Sequence, residues 1–500
     1  MTWRTLVTGV YAGASAFCTA VGIVVPALWW LSLPGLSLFF WILLSRVEGW
    51  SGALLSGVLF GVITGCAGTL WFWDTLPLNF LGILNPTTQT IAVGMTWLYV
   101  GSSLALSVPF CAVAIFTVRR SLFFPLIAGL VWVLTEYLRM WGFALTTWGP
   151  KSLLGPHFSS AAVGYSLAEN SYLLQLAAPF GLDGLNFVVA FTAALLAWLP
   201  RAAEQPKARV HAVAQVALVA VVFWLYPREQ IVEGGASSDR SLRFAVISGN
   251  LDTVREHETH EMLIEELSTA AAGDPPADVI LLPEEFSLTS IFWSVGDYQK
   301  FKERYLGGRD VLIMNSRNNL FPEDERNEAP ESKKLVYDTT QSGEIGRYIK
   351  QMLMPLGEYA PAFTKTFFSV VPDPELHMYL EDVMVIDPEY TTDLAVGTYR
   401  GVRIGGLLCS DLFSPYLYRS LVKDYGAEVL VNLANHFWFH GSRTLYWKMV
   451  QMARVHAVWN RRTLLIANNI SPSLIINPMG ETVQESRWGT RGVMYLTLGF

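Results

Sequence analysis

The sequence predicts a multidomain membrane protein: an α-helical transmembrane bundle over residues 1–227, then an α/β sandwich domain over residues 241–500. Three observations carry this expectation. The 500 residues are 52% hydrophobic and include 18 Trp, more apolar than a water-soluble chain of this size. Charge is divided unevenly, with 15 Asp, Glu, Lys or Arg among the first 226 residues and 62 among the remaining 274, which sets a boundary near Tyr226-Pro227. Beyond that boundary, long apolar runs give way to short β-rich runs alternating with helical stretches.

Seven apolar runs precede the boundary: Leu6 to Val24, Pro26 to Leu44, Gly52 to Trp73, Ile91 to Val118, Leu122 to Trp141, Ser171 to Leu199 and Val210 to Tyr226. Most reach the roughly 20 residues that cross about 30 Å of hydrocarbon; Pro26 and Pro34 interrupt the first pair, and the last run is short. Leu6 to Val24 is expected to be retained, because further spans follow at once and no small-residue cleavage site precedes Pro26. Basic residues occupy alternate connections: Arg4, then Arg46, then Arg119 and Arg120, then Arg201, Lys207 and Arg209. The other connections hold Asp74, Glu169 and only Lys151. Positively charged loops stay cytoplasmic, so the N-terminus is expected inside, and an odd number of spans carries the second half to the outer side.

In that second half, strands are expected at Arg243 to Ile247, Asp278 to Leu282, Asp310 to Met314, Lys334 to Thr339, Arg403 to Leu408, Glu428 to Asn432 and Thr463 to Ala467. Helices are expected at Val254 to Ala272, Pro415 to Tyr425 and Arg443 to Arg461, and an exposed loop at Phe321 to Ser332. Cys18, Cys66 and Cys111 fall inside apolar spans and read as packing residues. Cys409 has no partner in its own half, so no disulfide within that domain occupies it. Glu284 and Cys409 each follow a predicted strand, where α/β enzymes place catalytic side chains. Lys350 lies between a Gly343 turn and the bend at Pro355-Leu-Gly357. Glu, Lys and Cys in this order form a working acyl-transfer set, although spacing alone does not bring them together. No His, Cys, Asp and Glu pattern has metal-ligand spacing, and neither a metal nor a cofactor is expected.

Several stretches resemble a known family. Val246-Ile-Ser-Gly-Asn250, Pro283-Glu284, Tyr348-Ile-Lys350 running to Glu358-Tyr359-Ala-Pro361, Cys409, Asn432-Leu-Ala-Asn435-His436-Phe-Trp438-Phe439 and Gln451-Met-Ala-Arg454 are similar to the nitrilase, or carbon-nitrogen hydrolase, superfamily. With Trp132 to Arg139 and Trp148-Gly149 added, the whole chain resembles the apolipoprotein N-acyltransferase family, and Lys350 to Pro361 is the most specific match. The resemblance implies an αββα nitrilase-like fold and Glu284, Lys350, Cys409 and Glu358 as the catalytic set. It also implies a phospholipid acyl donor, usually phosphatidylethanolamine, a diacylated apolipoprotein as acceptor, and a bacterial inner membrane with the catalytic domain in the periplasm. No nucleic acid is expected.

In that implied chemistry Glu284 is the base toward Cys409, Lys350 steadies the oxyanion, and Glu358 holds Lys350 and Glu284 in register or helps move protons in the second half-reaction. Asp411 is a stand-in for the family's carboxylate, Trp438 and Phe439 are expected at the substrate, and Phe363, Phe367, Phe368, Phe413 and Phe437 are candidates for lining acyl-chain entry. Glu136 and Arg139, one helical turn apart in an apolar run, read either as a self-satisfied ion pair or as a contact to a lipid head group. Departures from the family pattern are Leu282, Ser410-Asp411, Asn435-His436, His456-Ala-Val-Trp459 and Ser471, and the family's final membrane helix has no counterpart before Phe500. Two other readings stay open at this point: a membrane-tethered amidase or hydrolase that uses water, and a non-catalytic lipoprotein-binding paralogue.

Overall fold

The computed structural model describes residues 3–149, 152–226, 229–231, 240–251, 257–286, 295–317, 334–364, 368–371, 373–378, 394 and 396–500. The expected loop at Phe321 to Ser332 lies outside them. The first half holds α1 (Trp3–Val24), α2 (Ser32–Ser45), α3 (Trp50–Gly68), α4 (Pro86–Ala105), α5 (Val108–Thr117), α6 (Phe124–Thr146), α7 (Ala177–Glu204) and α8 (Pro206–Leu225). Among the described residues seven stretches are long and apolar enough to cross a membrane, from Leu6–Val24 to Pro206–Leu225, with α4 and α5 together making one of them.

Where helix ends differ from the apolar runs, local chemistry accounts for them. The fourth run breaks between Ala105 and Val108, just before Pro109, which has no N–H to continue the ladder. At its start Asn85 caps α4, its side chain accepting from Thr87 N and Thr88 N, with Pro86 in the first turn. The third run continues to Trp73, but α3 stops at Gly68 and Leu70–Thr75 forms a separate 3-10 turn. Thr69 folds its hydroxyl back onto Gly65 O at 3.2 Å, satisfying a carbonyl of the last turn. Close helix contact requires small residues here: a Cβ on Gly65 would stand 2.2 Å from Gly101 O of α4.

The second half contains two six-stranded sheets. The first has the order β12 (Gly492–Gly499), β1 (Ser241–Ser248), β2 (Val279–Leu281), β3 (Leu312–Arg317), β4 (Lys334–Thr339), β5 (Gly343–Ile349). The second has the order β11 (Thr482–Glu485), β10 (Leu474–Ile476), β9 (Leu464–Asn469), β8 (Val429–Asn435), β7 (Val402–Leu408), β6 (Val396–Tyr399). In each sheet the central strands pair in parallel (β1 with β2 and β2 with β3; β7 with β8 and β8 with β9), and β2, β8 and β9 are buried throughout, as parallel strands covered on both faces are. The sheets pack face to face, and helices cover their outer sides: α9 (His257–Ala272) on the first, α10 (Pro415–Lys423) and α11 (Arg443–Asn460) on the second. This is the αββα sandwich.

All seven expected strands are present, Lys334–Thr339 with the expected ends and the others with shifted ones. The strands not foreseen are β5, β6, β10, β11 and β12. Four of them are short, or half-exposed, or both, so they lack the apolar run that marks a buried strand; β12 is cut off from its partner β1 by the whole domain sequence.

The outer helix layer of the second sheet meets the membrane half, as does the segment after Glu358, where Tyr359 donates to Thr147 O at 2.8 Å. From α11, Lys448 donates to Ile23 O near the end of α1 at 3.1 Å and to Gln451 Oε1 at 3.1 Å, and Gln451 in turn donates to Glu169 at 2.9 Å. Carbonyls at a helix C-terminus lack partners inside the helix, so a buried ammonium is well placed there. Ser442, which caps α11, also donates to Asp74 in the 70–75 turn. These ties hold the sandwich in a fixed orientation over the bundle.

Candidate active site

Strand ends from both sheets converge at one place. Glu284 lies three residues beyond β2, Lys350 directly follows β5, Cys409 directly follows β7, and Asn435 is the last residue of β8. Buried parallel strands release their side chains at the carboxyl edge, and the two sheets bring those edges together.

Three of these groups form a buried ion cluster. Lys350 Nζ lies 2.8 Å from Glu284 Oε1 and 2.8 Å from Glu358 Oε1, and the second oxygen of Glu358 accepts from Met354 N at 2.8 Å. Glu284, Lys350 and Glu358 are 2%, 3% and 5% exposed, so each charge depends on the others for the solvation it has lost. The backbone bend at Leu356, with φ +66°, and the hydrogen bond from Glu358 N to Met354 O turn Glu358 back toward Lys350.

Cys409 opens a single 3-10 turn, Cys409–Phe413, at φ +34°, a left-handed conformation that costs a non-glycine residue about 1–3 kcal/mol. Such a sharp strand-to-turn corner exposes the side chain at the end of the strand. Sγ lies 3.9 Å from Asn435 O. Burial pushes the thiol well above its ordinary range, Glu284 pushes it further, and Lys350 pulls it down. The resting group is therefore a neutral thiol beside a carboxylate able to take its proton.

The corner is held from behind. Asp411 accepts from Leu408 N at 2.9 Å and Met352 N at 2.8 Å, tying the nucleophile turn to the segment after Lys350. Its burial lifts the carboxyl to about 6, against the opposing pull of Lys350. The glycine pair before Leu407 lets the layers close: a Cβ on Gly406 would stand 2.8 Å from Leu335 and Met314 and 2.9 Å from Tyr337 Oη in the facing sheet. His456 stacks on Tyr418, with ring centroids 4.7 Å apart, and shares a 2.8 Å hydrogen bond between its Nε2 and Leu412 O; His436 is buried beside Asn468 and pushed down to about 3, hence neutral. Of these two departures from the family pattern, His456 supports the turn from outside the cavity, and His436 is held against β9.

Above the thiol opens a cavity enclosing about 990 Å³ of space between atoms, part of it open to solvent. Its polar end is Glu284, Glu285, Lys350, Glu358, Cys409 and Asn435. Apart from Thr75 and Thr96 the rest is apolar, and both halves of the chain supply it: Trp71, Phe72, Phe80 and Val93 from the membrane half, Leu356, Phe368, Trp438 and Phe439 from the sandwich.

Of the residues singled out in the sequence, Glu284, Lys350, Glu358, Cys409, Trp438 and Phe439 meet at this cavity, and Phe368 lines it. Asp411 does not face it, because both of its oxygens are engaged by backbone N–H groups. Glu136 and Arg139 lie inside the bundle, 2% and 3% exposed; Arg139 Nη1 pairs with Glu136 Oε2 at 3.0 Å and donates to Ala161 O at 2.8 Å, and Trp132 Nε1 donates to Glu136 Oε1 at 3.0 Å. The pair is closed within the bundle, although Arg139 Nε and Nη2 have no hydrogen-bond partner among the described residues. Phe363 stacks on Tyr99 of α4, Phe413 on Trp71, and Phe437 meets Phe80 edge-on; Phe367 lies outside the described residues.

Glu285 reads from the sequence as a solvated or supporting neighbour of Glu284, and its carboxylate accepts from Asn435 Nδ2 at 2.6 Å; sequence reasoning missed Asn435 as the residue joining both carboxylate and thiol. It also missed the contribution of Trp71 and Phe72. The one available signal was an aromatic Trp-Phe-Trp run at the end of a span, the usual composition of a membrane interface.

Comparison with known proteins agrees with this geometry. The carbon-nitrogen hydrolase family model matches residues 249–499, and that of the apolipoprotein N-acyltransferase N-terminal domain matches residues 15–195. The fold and site therefore define a carbon-nitrogen hydrolase domain carried on a multi-pass helical membrane bundle. An apolipoprotein N-acyltransferase from Geobacter metallireducens is 28% identical over 84% of this chain and 77% of its own length. One from Pseudomonas aeruginosa is 23% identical over 90% and 86%, and one from Aquifex aeolicus is 33% identical over 30% and 31%. Among solved structures, Saccharomyces cerevisiae Nit3, of the nitrilase superfamily, is 12% identical with a TM-score of 0.38, over 53% of this chain and 93% of that one. The chain belongs to the apolipoprotein N-acyltransferase family.

Proposed function

We propose that the protein transfers an acyl chain from a phospholipid, through a thioester on Cys409, to the α-amine of the diacylglyceryl-cysteine of apolipoproteins. The observation that carries this reading is the Glu284–Lys350–Glu358 cluster beside the Cys409 thiol, at the closed end of an apolar cavity walled by both halves of the chain. A lipid chain fits such walls, and a head group or a lipopeptide amine is served by the polar end.

In the first half-reaction Glu284 removes the thiol proton and Sγ attacks the ester carbonyl. Lys350 stabilises the developing oxyanion, a role that buried cations fill at about 10²–10³ in rate. The carbon–oxygen bond breaks, the proton passes to the departing alkoxide, and a lysophospholipid leaves. In the second half-reaction the acceptor's neutral amine attacks the thioester, Glu284 takes its proton, and the sulfur departs to regain a proton as thiol. Glu358 keeps Lys350 in place throughout. The sequence of steps is ping-pong, with one product released before the second substrate reacts.

Phosphatidylethanolamine as donor, a bacterial inner membrane and a periplasmic site for residues 241–500 above a bundle of residues 1–227 belong to the same reading. They are supported by the alternation of basic loops and by the names of the relatives. The reading is tested by supplying the membrane-embedded protein with labelled phosphatidylethanolamine and a diacylated lipopeptide. Labelled triacylated lipopeptide is expected, and only when both substrates are present. Release of free fatty acid at the same rate with and without lipopeptide would show a hydrolase instead.

A further inference from the structure

We infer that Thr96 sets the length of the acyl chain that Cys409 accepts: it forms the floor of the cavity, one helical turn further along α4 than Ala92, and bounds the space open to the chain's methyl end. The cavity touches α4 at Ala92, Val93 and Thr96, which share one side of the helix and are 6%, 6% and 7% exposed. All three belong to the Pro86–Thr117 stretch that is apolar enough to cross a membrane, so the cavity descends into the bundle itself. Thr96 lies about 15 Å along the helix from Pro86, about half the thickness of a hydrocarbon core.

Among the described residues nothing of α4 beyond Thr96 lines the cavity, and the packing shows why. Trp97 Nε1 donates to Cys66 O of α3 at 2.8 Å, a Cβ on Gly101 would stand 2.4 Å from Cys66 Sγ, and Val100, the next residue on the Thr96 face, is 1% exposed. Close contact between α3 and α4 thus shuts the space directly beyond Thr96. The Thr96 hydroxyl donates to Ala92 O at 2.8 Å, so an apolar chain end can lie against this residue without stranding its O–H. The thiol lies at the other end. Cys409 packs against the main core, whereas Ala92 and Val93 belong to a separate apolar cluster with Leu78, Ile83, Phe368 and Leu376, which line the same cavity. A chain held as thioester on Cys409 therefore runs from the polar end toward α4, and the space ahead of Thr96 limits it. Apolar pockets discriminate a single methylene by about 10–200-fold.

This inference rests on the acyl-transfer reading, and the test separates the two. Full-length protein is placed in vesicles holding equal amounts of phosphatidylethanolamines with lauroyl, myristoyl, palmitoyl and stearoyl chains, and the acyl group on Cys409 is identified by its mass before any lipopeptide is added. Thr96→Leu is expected to shift the profile toward shorter chains, lowering the ratio of the longest accepted chain to the next shorter one at least about tenfold. Ala92→Leu, about 6 Å nearer the start of α4, should shorten the profile further. Thr96→Ala should shift it toward longer chains. A loss of packing alone lowers every thioester by one factor and leaves the ratios unchanged, so the graded order is specific to a measuring floor. Thr96→Ala, which overpacks nothing, decides the matter where the Leu variants fold poorly. No thioester on the wild type with any of the lipids would remove the acyl-transfer reading and this inference with it. Wild-type ratios on the thioester formed by Thr96→Ala would overturn the inference alone.

Discussion

Replacing Lys350 by Met removes a cation that two buried carboxylates share. Each Nζ–Oε distance is 2.8 Å. At an effective dielectric of about 20, a unit pair at that distance attracts by about 6 kcal/mol before desolvation is counted. Breaking a buried pair by removing one partner costs about 3–5 kcal/mol, because the remaining charge stays uncompensated. Here two like charges remain, so one carboxyl takes up a proton; when that is Glu284, the base is lost as well. The oxyanion also loses its cation, worth about 10²–10³ in rate. Thioester formation is therefore expected to fall at least about 100-fold in Lys350→Met, measured as initial acylation of Cys409 in vesicles. Lys350→Arg should rescue little, because a planar guanidinium cannot occupy the point position of an ammonium between two carboxylates. The thiol should also alkylate more slowly, since Lys350 is the group pulling its pKa down. Acylation within about tenfold of wild type in Lys350→Met would refute the assigned role.

Two further outcomes follow from the groups behind the nucleophile. Below about pH 6 Asp411 becomes protonated and one oxygen no longer accepts from Leu408 N or Met352 N, so acylation should decline through that pH. Because its folded-state pKa is raised above the unfolded value, the same protonation favours the folded state between about pH 6 and 4. Thermal stability owed to Asp411 should thus rise while activity falls, and Asp411→Asn should flatten the acid limb; an unchanged limb in that variant would count against it. Gly406→Ala places a methyl 2.8 Å from Leu335 and Met314, an overpacking that costs about 1–3 kcal/mol. A lower unfolding temperature in detergent is expected, and an unaltered one would show that the sheets have room to separate.

The legible parts of the molecule were those written as local patterns. The spans, the central strands β7 and β8 and the helix Arg443–Asn460 all appear as apolar runs of the right length and period. The half-exposed hairpin strand β5 does not, yet it delivers Lys350. Cys409 could be chosen because a lone thiol after an apolar strand is visible in one dimension, and the Lys350 to Pro361 resemblance set its partners. What no local pattern contained was the cavity wall. Trp71 and Phe439 are far apart in sequence and meet only because Asp74, Ser442, Lys448 and Glu169 dock one half on the other. Asp411 was placed at the substrate because a carboxylate beside the nucleophile suggests chemistry. Two backbone N–H groups that needed an acceptor engaged it instead.

The central claim is that Cys409 carries the acyl chain between two lipids. Intact protein in vesicles of labelled phosphatidylethanolamine, quenched before any lipopeptide is added and analysed by mass spectrometry, tests it directly. One acyl mass on the peptide containing Cys409 is expected, absent in Cys409→Ala and discharged when diacylated lipopeptide is supplied. An unmodified Cys409 in protein that still produces triacylated lipopeptide would contradict the account.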